Sequence, residues 1–436
     1  MATKKSVPVK TASNAAPSSA NGIEALLLAA QARGGESMQT GRYLVTYKEG
    51  AMDAGLKALK SQSMRTADAR DFTEQAVNVA DVGGADALMF PEIGVALLSG
   101  EAFHSRGMSL QAEIASDNPM QVIEPEYFVF TYGATEDYLR GFISAAEAIA
   151  KDLGSAPGGG GGAADVDAQV LGVTWGLTAC KVPPSVRSGV GIKVCVLDTG
   201  MDLGHPDFAG RGFITNTFVG QPIQDLNSHG THCIGTSCGP IAPVGNTPRY
   251  GIAHRAQIFA GKVLTNSGSG TSASVLAGMN WAIANRCAVI SMSLGSQSPV
   301  QAAYTAAGQA ALNNGCLIIA ASGNAAAATG SPANSPTIFS VASLDTNLAP
   351  SSFSNFGKVE IAAPGRDVFS SVPMPTRYGI KSGTSMATPH VAGCAALWAE
   401  TSPNLRGMNL WTRLQATARA LPFPLARVGR GLVQAP

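Results

Sequence analysis

Charge is scarce in this chain. Only 14% of its residues are charged, against a usual quarter, and the net charge is +1. No field of either sign is available to draw a nucleic acid or an acidic partner. No apolar run approaches the roughly 18 residues needed to span a bilayer. No Cys-x-x-Cys pair is present to hold a metal. The seven cysteines (Cys180, Cys195, Cys233, Cys238, Cys287, Cys316 and Cys394) are an odd number in apolar settings such as KVCVLD and NNGCLIIAAS. They read as small buried hydrophobes rather than a disulfide framework. Cys233 and Cys238, five residues apart, would stand about 8 Å apart on a helix, too far to bridge. The start of the chain makes a poor secretory signal. Lys4 and Lys5 are separated from IEALLLAAQA by a polar stretch with prolines, and Glu24 interrupts that run.

What is present is a long, apolar, glycine-rich chain: 436 residues, 45% hydrophobic, with 50 glycines. That length allows two or three domains and a large core. Residues 1–40, rich in Ala, Ser, Lys and Gly, read as a disordered leader ending in a short helical turn. From residue 41, RYLVTYKEG reads as a strand, AMDAGLKALKSQ as a helix, and LMFPEIGVALLSG as strand material. SLQAEIASD then reads as a helix and QVIEPEYFVF as a final strand, a βαββαβ-like unit over residues 41–132. Residues 133–165 hold a helical pattern over 136–153 and a glycine linker over 158–162. Beyond it, GIKVCVLDTG, QIFAGKVL, CAVISMSLG and CLIIAASGN are short, nearly continuous apolar runs separated by helical segments. They predict a parallel α/β sheet covered on both faces, with function at the strand carboxyl ends.

Those ends carry polar residues. Asp198 closes VCVLD, His229 and His232 stand in NSHGTHCIGT, and Asn324 ends CLIIAASGN. Ser385 opens an apolar helical run in KSGTSMATPHVAG. Each has an ordinary reading: Asp198 and Asn324 as turn formers, Ser385 as a helix cap. The two histidines lack the further ligand that a zinc site needs. Together the four residues fit acyl transfer. Ser385 would attack an acyl carbon, His229 take its proton, and Asp198 fix the imidazole tautomer. Asn324 and the Ser385 amide would hold the oxyanion.

The blocks VCVLDTGMDLGHPDF, NSHGTHCIGT, SMSLGS, AASGN and SGTSMATPHVAG, with GKVLTNSGSGT and GRGLVQA, occur in this order over residues 166–436. By them the chain resembles the subtilisin-like serine peptidases, whose triad runs Asp, His, Ser. The resemblance implies a subtilisin-like parallel sheet flanked by helices, preceded by a small α+β, ferredoxin-like inhibitor propeptide at 41–132. It implies a serine endopeptidase made as a self-processing zymogen and acting on polypeptides, with its own propeptide as intramolecular inhibitor. No nucleic-acid or membrane partner is expected, and the molecule reads as a monomer. Substrate would add as a strand between Gly268, Ser269 and Gly270 on one side and Ser293, Leu294 and Gly295 on the other. Gly330 aligns with the floor of the first specificity pocket, and Ala325 stands where some members carry an acid. The pocket should thus favour large apolar side chains. Cys233 occurs at that place in the proteinase K-like branch, where mercurial sensitivity and buried inertness are both open. VIEPEYFVFTY resembles the end of a subtilisin propeptide, so self-cleavage is expected at Tyr132–Gly133, with Val129 in the fourth pocket.

Three departures stand beside the matches. Asp207 in HPDF fits a family calcium ligand, but residues 238–251 lack the asparagine-rich pattern that completes that site. The balance is against calcium there, and no cofactor is required. His254 replaces a common proline. With so poor a signal, secretion by an unrecognised route and action inside the cell are both open. A maturation protease or macrocyclase using the same triad, and a catalytically dead binding scaffold, are the competing readings.

Overall fold

The computed structural model describes residues 22–32, 38–71, 84–105, 108, 118–131 and 172–436. The expected helices at 109–117 and 136–153, the glycine linker and the Tyr132–Gly133 bond lie outside them. In chain order the described strands are β1 Gln39–Tyr47, β2 Thr66–Asp68, β3 Ala87–Phe90, β4 Val95–Leu98 and β5 Met120–Thr131. They continue with β6 Lys193–Asp198, β7 Ile214–Thr217, β8 Gln257–Lys262, β9 Ser269–Thr271 and β10 Val289–Met292. Last come β11 Leu294–Gly295, β12 Leu317–Ala321, β13 Phe339–Leu344, β14 Ile361–Pro364, β15 Val368–Ser371 and β16 Tyr378–Lys381. The helices are α1 Ile23–Ala32, α2 Met52–Ser61, α3 Gly100–Ser105, α4 Trp175–Ala179 and α5 His229–Cys238. They are followed by α6 Ser272–Ala284, α7 Ala302–Asn313, α8 Thr384–Thr401, α9 Gly407–Thr417 and α10 Leu425–Val428.

The larger unit is built on a sheet ordered β14-β13-β12-β10-β6-β8-β7. Every pairing in it is parallel. Alternation along β6 explains why its sequence reads as one apolar run. Val194 and Val196 enter a core with residues of α5 and α8. Cys195 and Leu197 enter a second core with residues of α6 and α7. Both faces are thus covered, as a parallel sheet requires. Gly278 brings α6 close to the sheet, because a Cβ there would lie 2.6 Å from Val263 Cγ1. All seven cysteines are free and buried. Among the described residues no helix is long and apolar enough to cross a membrane.

The smaller unit is a sheet ordered β5-β1-β4-β3-β2, antiparallel except for the β2–β3 pair. LMFPEIGVALLSG forms two of its strands, split by a turn at Pro91–Ile93. One face packs Val45, Tyr47, Met89, Ala96 and Leu98 with Leu59 of α2 and Ala102 of α3. The other packs Leu44, Leu88, Phe90, Val95 and Leu97 into the core shared with α6 and α7. Two glutamates on β5 complete that seam. Glu124 accepts from the Ala302 and Ala303 amides at 2.9 and 2.8 Å, capping α7. Glu126 accepts from the Ala273 amide at 3.0 Å in the first turn of α6, and from Arg42 Nε at 2.6 Å. Spaced by two on a strand, the two carboxylates face the same way and meet the positive ends of two neighbouring helices.

The leader requires a correction. Residues 1–40 were expected to be disordered up to a short turn, but Ile23–Ala32 is a ten-residue helix. Its buried Ile23 and Leu27 have an apolar surface to pack against, which a segment judged by composition alone does not reveal.

Candidate active site

β6 delivers Asp198 to its carboxyl end, fully buried. Its Oδ1 accepts from the Thr199 amide at 2.7 Å and lies 2.8 Å from His229 Nδ1. His229 is the first residue of α5. It is aimed by Asp225, which was not singled out in the sequence. Asp225 Oδ1 accepts from the Asn227 and Ser228 amides, each at 2.9 Å. Asp225 Oδ2 accepts from the Thr231 amide at 2.9 Å and Thr231 Oγ1 at 2.8 Å. These bonds hold Ser228 at φ 82, a left-handed conformation uncommon for serine. An acid four residues before a helix-opening histidine was the available signal.

Lys262 is a second residue the sequence did not mark. Wholly buried at the end of β8, its ammonium donates to the Thr199 carbonyl, to Asn266 Oδ1 at 2.7 Å and to the Gln224 carbonyl at 3.3 Å. Burial pulls its pKa down to about 8, against the opposing pull of Asp225 and Asp198. It ties together the two loops that carry Asp198 and Asp225.

Ser385 is the second residue of α8, whose N-cap is Gly383, so its hydroxyl does not cap the helix. That hydroxyl donates to the Ser293 carbonyl at 3.1 Å. Among the described residues, the buried His229 Nε2 has no hydrogen-bond partner. Pro389, inside α8, explains itself through the same residue. Lacking an N–H, it leaves the carbonyl four residues earlier without its helical partner. That carbonyl is Ser385 O, and it accepts from Ser293 Oγ at 2.7 Å and Cys233 Sγ at 3.6 Å. The proline thus frees an acceptor that pins the backbone of Ser385 to two neighbouring elements. Asn324 Oδ1 accepts from the Thr384 amide at 2.9 Å and Thr384 Oγ1 at 2.8 Å. Its amide nitrogen is thereby turned toward Gly383. A Cβ on that glycine would lie 3.0 Å from Asn324 Nδ2 and 3.6 Å from the Ser385 amide nitrogen. Two donors converge on one small space.

The expected strand-binding segments enclose a strand of this chain. Val129 pairs antiparallel with Gly270 and Phe130 with Ser269 on β9. On the other side Thr131 pairs with Leu294 and Phe130 with Gly295 on β11. The Thr131 amide donates to the Gly268 carbonyl at 2.9 Å. Val129 enters the core that holds Leu264 and Leu294. Gly330 is buried, with its amide donating to Ser322 O at 2.9 Å, and Ala325 is exposed.

The remaining candidates sort by their partners. Asp198, His229 and Cys233 each bring one ligand atom within 4.8 Å of the others. Burial drives the Cys233 thiol pKa well up, which disfavours the thiolate that a metal needs. His232 Nε2 bonds Val368 O at 3.0 Å, and burial lowers its pKa to about 3. Asp207 is surrounded by donors: Tyr250 OH at 2.6 Å, Tyr378 OH at 3.0 Å and the Val244 amide at 2.9 Å. Hydrogen-bond donors where a cation would need oxygens do not fit calcium.

A buried Asp–His pair, a serine at a helix start and a cleft that takes an added strand are features that fit a serine peptidase. The profile of the subtilase family matches residues 189–431, and the chain belongs to that family. It is a serine endopeptidase acting on polypeptides. Subtilisin Savinase of Lederbergia lenta is 41% identical over 271 residues, covering 60% of this chain and 97% of its own. An alkaline protease of Alkalihalobacillus alcalophilus is 40% identical over 280 residues, 62% of this chain and 71% of its own. Subtilisin NAT of Bacillus subtilis subsp. natto is 37% identical over 274 residues, 60% of this chain and 70% of its own.

Proposed function

We propose that Ser385, His229 and Asp198 form the triad of this endopeptidase. We further propose that residues 41–132 are an inhibitor segment removed by self-cleavage. The Ser385 hydroxyl turns from the Ser293 carbonyl to His229 Nε2 and attacks the substrate carbonyl carbon. The hydroxyl proton passes to His229, whose imidazolium Asp198 stabilises. Asn324 Nδ2 and the Ser385 amide hold the oxyanion. His229 then protonates the departing amine as the C–N bond breaks, and water resolves the acyl-enzyme by the same steps in reverse. Gly268, Ser269, Gly270, Ser293, Leu294 and Gly295 bind the substrate backbone, and Gly330 floors an apolar first pocket. Asp207 is a structural tie between Tyr250 and Tyr378, and no metal is needed there. The protein works as a monomer.

The observation that carries this reading is residues 128–131 lying as a strand between β9 and β11. An extended segment held there sits where a substrate would, and its next residue is Tyr132. Cleavage at Tyr132–Gly133 follows from that register. Ser385→Ala should abolish hydrolysis and leave the purified chain at full length by intact mass. A processed form arising from that purified variant would refute self-cleavage, and a first cut within residues 158–162 in the unaltered chain would refute the register.

A further inference from the structure

A strand bound in a cleft presents alternate side chains to the enzyme and to the outside. Val129 faces the enzyme core. Phe128 and Phe130 therefore lie on the outer face, where two aromatic rings should be open to solvent. They are not: each is 1% exposed. What covers them is α1. Ile23 and Leu27 pack with Phe128, Phe130 and Val219 in one apolar cluster, and Leu26, Ala30 and Met38 flank it. The spacing of 23, 27 and 30 puts these side chains on one helical face. Polar contacts fix the same arrangement. Ser267 Oγ donates to Glu24 Oε1 at 3.4 Å, and the Phe128 amide donates to Met38 O at 2.9 Å. Ser267 directly precedes the Gly268–Gly270 segment, so α1 bridges the rim of the cleft and the strand inside it.

We propose that α1 is a second inhibitory element, a strap that holds the cleft strand from its outer side. This rests on the reading of residues 41–132 as an inhibitor. With α1 in place, the strand is buried on both faces. It leaves the cleft only after the helix lifts and exposes both phenylalanines. Latency then depends on the leader as well as on the inhibitor fold, and removal of the leader is the event that shortens it.

The test uses the full chain and follows the lag before it hydrolyses a chromogenic peptide. Ile23→Asp/Leu27→Asp should shorten the lag roughly tenfold or more, the scale set by losing a buried aliphatic contact. Val129→Asp, which disrupts the enzyme-facing side, should shorten it as well. A normal lag in the double variant beside a shortened one in Val129→Asp overturns the strap and leaves the inhibitor intact. A normal lag in both overturns the inhibitor reading and the strap with it. Backbone hydrogen exchange in the Ser385→Ala chain gives an answer that does not depend on processing. Adding Leu27→Asp should speed exchange across residues 128–131 and leave β12 unchanged. Unaltered exchange in the cleft strand would overturn the strap.

Discussion

The two units of this molecule bury their sheets in different ways. The catalytic sheet is covered on both faces by helices of its own unit, with α5 and α8 on one side and α6 and α7 on the other. The smaller sheet covers one face with α2 and α3 and lends the other to α6 and α7 of its neighbour. Its β5 pairs with β1 in its first half and with β9 and β11 in its last. The smaller unit is therefore shaped by the enzyme against which it packs. Separating the two units would expose apolar surface on both sides, so burial by itself favours the docked state.

Removing the proposed oxyanion donor is the sharpest way to separate chemistry from docking. Asn324→Ala should lower turnover by about 100- to 1,000-fold with substrate affinity little changed. The docking of β5 should change little, because its ladder to β9 and β11 is made by backbone groups that the substitution leaves in place. Steady-state kinetics on the processed enzyme decides this. An effect confined to KM would remove Asn324 from the oxyanion role.

Acidity should pull the units in opposite directions. Burial lowers the Lys262 pKa from 10.5 to about 8, so between those values the unfolded chain holds a proton that the folded one has lost. Stability of the catalytic unit should then rise with pH across about 8 to 10.5, by about 3 kcal/mol at most from this group. Glu124 in the seam goes the other way. Burial raises its pKa, so its contribution to docking is full below the ordinary glutamate range and falls as pH rises through the raised value. Unfolding curves of the Lys262→Met variant check the first half. A slope across pH 8 to 10.5 equal to that of the unaltered protein would show that Lys262 is not its source.

The seam itself can be weakened at Glu126. Its carboxylate serves Thr40, Arg42 and the Ala273 amide, so Glu126→Ala removes an acceptor shared by three buried or half-buried donors. The cost should be about 1–3 kcal/mol, or roughly five- to a hundredfold in the stability of docking. The lag of the full chain reads it directly. A lag unchanged by Glu126→Ala would mean that the Glu126 contacts contribute nothing to latency.

Much of this was legible in the sequence, and what was missed has a common physical character. The parallel sheet could be read because strands buried on both faces leave unbroken apolar runs. The chemistry could be read because Asp198, His229, Asn324 and Ser385 each interrupt such a run at an element end. Asp225 left a local signal, an acid four residues before the histidine and bonded to Asn227, Ser228 and Thr231, whereas Lys262 was invisible because the Thr199 and Gln224 carbonyls it meets lie on distant loops. Glu124 and Glu126 carry no such signal, since the helix ends they cap lie about 150 to 180 residues away. The docking of α1 had the same cause: IEALLLAAQA carried the helical signal, but its apolar surface is made by Phe128, Phe130 and Val219 from two other regions.

The smallest expected effect lies at Asp207, inside the catalytic unit and away from the seam. Its carboxylate accepts from two tyrosines and the Val244 amide, and Arg377 approaches to 3.7 Å. Tyr378 is partly exposed while Tyr250 is buried, so removing the Tyr378 hydroxyl leaves the stronger contact in place. Tyr378→Phe should therefore cost about 1 kcal/mol of stability, with no change in lag or turnover. Because the donors around Asp207 fill the positions a cation would need to meet, a chelator should leave the unfolding temperature of both proteins where it was. A chelator that sharply lowered it for the unaltered protein would show that a metal supports this fold. Were the drop absent in Asp207→Asn, the metal would have to be placed at Asp207 after all.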